Sequence, residues 1–67
     1  MSVAKVIEIT ADSHKSFEDA VGQGIKKAAE SLDNIKAAWI GSQEVLIEDN
    51  KVHTYRVHLR VTFVLSD

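Results

Sequence analysis

Sixty-seven residues support one folded unit, and a chain this short buries only about 60% of the surface its unfolded state exposes, so its own core is marginal. With no cysteine, disulfides are excluded and a structural metal is less available, which leaves self-association as the route to stability. A formal charge of −2 argues against non-specific nucleic-acid binding, which needs a basic surface to displace counterions, and no apolar run is long enough to cross a bilayer.

The N-terminal MSVAKVIEIT lacks a long apolar run and a small-residue cleavage site, and the absence of cysteine suits a reducing compartment, so a cytoplasmic location is expected. No proline and only three glycines interrupt the chain, and residues 1–67 read as a single domain. Val3 to Thr10, rich in β-branched residues, predicts a strand. ADSHKS then supplies capping residues, and Ser16 with Asp19 three positions on has the spacing of a capping box. Phe17, Ala20, Val21, Gly24, Ile25, Ala28 and Leu32 recur at three- and four-residue spacing, which predicts a helix reaching about Leu32 with one buried face. Gly24, on that face, costs helix stability and is expected to permit close approach to a sheet.

Lys36 to Glu48 and Lys51 to Leu65 read as two long strands joined through Asp49-Asn50, residues that tolerate the positive φ of a tight hairpin turn. In the last strand Tyr55, Val57, Leu59, Val61, Phe63 and Leu65 alternate with Thr54, Arg56, His58, Arg60 and Thr62, so the apolar side should pack on the helix. The expected class is α+β: a β-α-β-β order with a three-stranded antiparallel sheet wrapped around one helix.

A two-residue loop pairs strand positions whose numbers sum to a constant, which sets Gln43 opposite Arg56, Gly41 opposite His58 and Trp39 opposite Arg60 on the polar face. Trp39 beside an arginine suits a cation–π contact. Its exposed indole calls for a cover, either a stacked aromatic ligand or a neighbouring subunit. Arg56, His58 and Arg60 form a basic stripe that suits an anionic ligand, the alternative being ion pairs with acidic side chains of another subunit.

No catalytic constellation is spaced in the chain: there is no cysteine nucleophile, metal-binding histidine motif or glycine-rich phosphate loop, so an enzyme is not expected. His14 and His53 read as solvated surface residues. Glu48-Asp49-Asn50 offers oxygen ligands but lacks the length and spacing of a calcium loop.

The order of elements, together with KVIEIT near the start, SLDNIK after the helix and YRVHLRVTFVL at the end, resembles the dodecin family over nearly the whole chain. The resemblance implies subunits assembled into hollow homododecamers. Many members bind flavins, riboflavin or FMN, in pairs near symmetry axes and act in storage or buffering without turnover. In those members a tryptophan early in the second strand stacks on the flavin ring, and a glutamine in the third hydrogen-bonds to it. An ungapped comparison anchored on the hairpin places Ala37 at the tryptophan position and Arg56 at the glutamine position. A methyl group offers no stacking surface, and arginine cannot accept a hydrogen bond. Trp39, two residues along the same side of the strand and about 7 Å away, is the candidate replacement. Some members outside the flavin pattern are associated with divalent cations, particularly calcium. The implied function is a self-assembled shell that stores a small anionic ligand, a flavin nucleotide first, at Ala37, Trp39, Gln43, Arg56, His58 and Arg60. The alternative is a flavin-free structural or calcium-binding shell.

Overall fold

A computed structural model describes residues 3–66. Strand β1 spans Val3–Ser13, helix α1 Phe17–Ala28, strand β2 Ile35–Glu48 and strand β3 Lys51–Ser66. Both pairings are antiparallel in the order β1-β3-β2, so the first strand joins the hairpin and β3 is the central strand. This is the β-α-β-β architecture expected from the sequence.

Local chemistry accounts for the element ends. Asp49 and Asn50 both take left-handed φ, 52° and 66°, as a tight hairpin requires. Ser16 caps α1, its Oγ accepting from the Asp19 N–H at 2.9 Å. The Asp19 carboxylate accepts from Ser13 Oγ at 2.6 Å, so it ties the helix start to the end of β1. Glu18 and Asp19 in the first turn and Lys26 and Lys27 in the last complement the helix dipole.

Two boundaries differ from expectation by more than one residue. Regular helix stops at Ala28 because the chain tightens there: the Glu30 and Ser31 N–H groups bond three residues back, to Lys27 and Ala28. Leu32 stays half-buried beyond it. β1 continues past Thr10 to Ser13, because Ala11, Asp12 and Ser13 pair with Val57, Arg56 and Tyr55 of β3.

The core consists of Ala20, Val57, Leu59 and Val61, with Ile7, Ile9, Phe17, Val21, Ile25 and Ile35 among the side chains packed around it. Phe17 meets Tyr55 edge to face, ring centroids 5.1 Å apart. At Gly24 a Cβ would lie 2.9 Å from Ala11 Cβ and 3.3 Å from Leu59 Cδ1, which is the close approach of helix to sheet that this glycine was expected to allow. Leu65, expected to pack on the helix, is 59% exposed. A helix of 12 residues is about 18 Å long, whereas the molecule extends 51 Å along the strands. The helix packs on β1 and β3, so the strand ends and the helix side of β2 go uncovered, exposing Ile40, Val45 and Ile47. No helix among the described residues is long and apolar enough to cross a membrane.

Candidate functional site

The polar side of the sheet is organised by two of the three irregularities in the β2–β3 ladder. Glu48 pairs with Lys51 and Ile47 with Val52, as the turn dictates. His53 is then an extra residue on β3, and the register moves by one: Leu46 faces Thr54, Glu44 faces Arg56 and Ser42 faces His58. Gly41, an extra residue on β2, restores the original register, so Trp39 faces Arg60 and Ala37 faces Thr62.

Two of the expected pairs are therefore corrected. Gln43 does not face Arg56 but pairs with Val57 on the helix side, where it lines a groove with Phe17, Glu18, Val21 and Ile40. Gly41 does not face His58 but forms the bulge beside it. Side chains alternate along a strand, so a slip of one residue between the bulges exchanges the two faces and puts Glu44 where Gln43 was expected. Trp39, Arg56, His58, Arg60 and Ala37 do share the polar face.

β1 completes each row from the other side. Arg56 donates from Nε and Nη2 to the two carboxylate oxygens of Asp12, at 2.8 and 3.0 Å, and its Nη1 lies 3.7 Å from Glu44 Oε1. His58 Nδ1 lies 3.3 Å from Thr10 Oγ1, and its Nε2 lies 3.4 Å from the same Glu44 oxygen. Arg60 Nε donates to Glu8 at 3.3 Å, and its guanidinium carbon sits 5.0 Å from the centre of the Trp39 ring. The basic stripe is thus neutralised by carboxylates of its own chain. Trp39, 60% exposed, stands over an open depression of about 490 Å³ lined also by Glu8, Thr10, Ser42, His58 and Arg60.

The two-pronged bond from Arg56 holds the Asp12 carboxyl below the usual carboxylate range, and the same bond raises Arg56. A depressed folded pKa contributes stability above the unfolded value of about 3.9, and that contribution is lost as pH falls through the folded value. Asp12→Asn should therefore remove part of the acid sensitivity of unfolding. Melting temperatures between pH 6 and pH 2.5 check this: the native protein should lose more than the variant on the acid side of pH 4, and parallel curves would show that the pair makes no net contribution.

His14 and His53 also have more company than the sequence suggested. His14 Nδ1 donates to the His53 carbonyl at 3.0 Å, the two rings meet edge to face at 4.8 Å, and His53 Nε2 lies 3.4 Å from Glu48. Among the described residues, however, no three His, Asp or Glu side chains converge to hold a metal ion.

Sequence reasoning missed Glu8, Thr10, Asp12 and Glu44. For the first three a signal existed: Ile7, Ile9 and Ala11 alternate with Glu8, Thr10 and Asp12, a period of two that runs on into the presumed cap. Glu44 had none, since its face depends on the two bulges.

The dodecin family model matches residues 3–66. The chain belongs to the dodecin family. The calcium dodecin of Mycobacterium tuberculosis is 36% identical over 63 residues, which span 94% of this chain and 89% of that one. The crystal structure of that protein, a calcium-chelating antigen with a novel calcium-binding site, matches at a TM-score of 0.84 with 35% identity, covering 92% of this chain and 89% of that one. A dodecin from Streptomyces davaonensis matches at 0.93 over 98% of this chain and 97% of its own, but at 21% identity it shares the fold alone. In this dodecin the positions that the family resemblance linked to flavin hold a methyl group, at Ala37, and a guanidinium already engaged by Asp12, at Arg56.

Proposed function

We propose that this dodecin is a flavin-free shell subunit that binds divalent cations, calcium first, and not a store for a small anionic ligand. The observation that carries this reading is that carboxylates of the same chain engage each basic side chain of the polar face. Arg56 is clamped by Asp12, Glu44 lies against Arg56 and His58, and Glu8 engages Arg60. An anion arriving there would have to compete with the carboxylates already placed against these basic side chains. The 36% identity to a calcium dodecin supports the cation. Self-association is supported by the exposed Ile40, Val45 and Ile47 on β2 and by the small core of a chain this short. Because no three His, Asp or Glu side chains converge among the described residues, the cation would be held between copies, consistent with a homo-oligomer and a dodecamer by family. The reading includes no catalytic turnover.

A second reading keeps the flavin, and Trp39 favours it: an exposed indole offers one free face for stacking. One set of measurements separates the two. The purified protein should scatter light as an oligomer, take up calcium in a calorimetric titration, and leave riboflavin and FMN fluorescence unchanged. Flavin quenching that Trp39→Ala abolishes would establish the second reading, and a monomer at micromolar concentration would end the shell.

A further inference from the structure

We infer that His58 is a proton-operated switch on the charge of the sheet's polar face. It occupies the middle of that face, with Arg56 and Arg60 on either side along β3, Thr10 and Ser42 beside it on β1 and β2, and Glu8, Asp12 and Glu44 around it. Three carboxylates against two guanidiniums leave one formal negative charge while the imidazole is neutral. Carboxylates and guanidiniums ordinarily keep their charge between about pH 5 and 8, whereas histidine is the side chain whose charge ordinarily changes there. One proton on His58 therefore cancels the excess.

The structure holds a seat for that proton. Glu44 Oε1 lies 3.4 Å from His58 Nε2 and 3.7 Å from Arg56 Nη1, while Arg56 is drawn to the other side by its two bonds to Asp12. Glu44 is thus the carboxylate with capacity to spare. His58 Nδ1 faces the Thr10 hydroxyl, which donates or accepts as the ring requires. At the upper end of the range the face attracts cations; at the lower end it has no preference. This goes beyond the proposed function and does not depend on which ligand the shell holds.

Trp39 reports on the switch, being the sole tryptophan and a member of the same face. Its emission is quenched by iodide and by caesium, whose local concentrations follow the potential with opposite signs. On moving from pH 7.5 to 5.5 the ratio of iodide to caesium quenching should rise about twofold to threefold, the change that one nearby charge makes in water-like dielectric with salt screening. His58→Gln should hold the ratio constant, and the double variant His14→Gln, His53→Gln should keep the rise. A ratio that does not change with pH in the native protein, or a rise that survives in His58→Gln, overturns the inference. So does protection of Trp39 from both ions at both pH values, since the face would then be closed to solvent.

Discussion

Gly24→Val should unfold most of the protein at room temperature, while Gly22→Ala, two residues away on the same helix, should stabilise it. At Gly24 the first added carbon would stand 2.9 Å from Ala11 Cβ, closer than side-chain carbons approach, and Ala11 Cβ is fixed directly to the β1 backbone. Relief requires the helix or the strand to move, and either motion opens the contact with Leu59, one of the buried core side chains. Overpacking of this kind costs about 1–3 kcal/mol for a methylene or two and more where backbone must yield. The valine branches add to that, against a helix-propensity gain below about 1 kcal/mol. A domain this small has only a few kcal/mol to lose. At Gly22 an added carbon meets no atom within 4 Å, so alanine there should gain about 0.5–1 kcal/mol from the unfolded state and helix propensity. Urea midpoints at one protein concentration measure both, since association makes apparent stability depend on concentration. Equal effects at the two glycines would show that α1 does not approach β1 as described.

Val45→Glu combined with Ile47→Glu should dissolve the proposed shell. Val45 and Ile47 are 39% and 57% exposed on β2, beyond the reach of the helix. Surface changes of this type alter subunit stability by about 0.5 kcal/mol or less. Covered by another copy, each apolar side chain would lose its remaining exposure, a part of the about 1.5–3 kcal/mol that full burial contributes, and a carboxylate in its place would need a partner the apolar patch lacks. In a closed symmetric particle the same substitution strikes every equivalent contact together. Sedimentation should therefore show a single large species for the native chain and small species for the variant. A full-sized particle that carries both glutamates would place the subunit contacts elsewhere.

Much of this fold is written in short stretches of sequence. The Asp49-Asn50 turn follows from two residues that tolerate left-handed φ, α1 from its apolar period and Ser16 cap, and the buried side of β3 from strict alternation between Tyr55 and Phe63. These features depend on neighbours along the chain, so composition and spacing suffice to find them. The polar face was legible only in part. Trp39 does face Arg60, but only because the extra residues at His53 and Gly41 offset each other. Between them Gln43 turns to the helix side and Glu44 takes the place beside Arg56 and His58. A bulge leaves little mark in the sequence, because it arises where a strand bends to satisfy contacts on both of its faces. Ion pairs such as Asp12 with Arg56 join residues 44 positions apart, and only the docking of β1 on β3 brings them together. The sign and number of the charges were readable from the chain; which of them cancel depends on strand register, and register is set by tertiary packing.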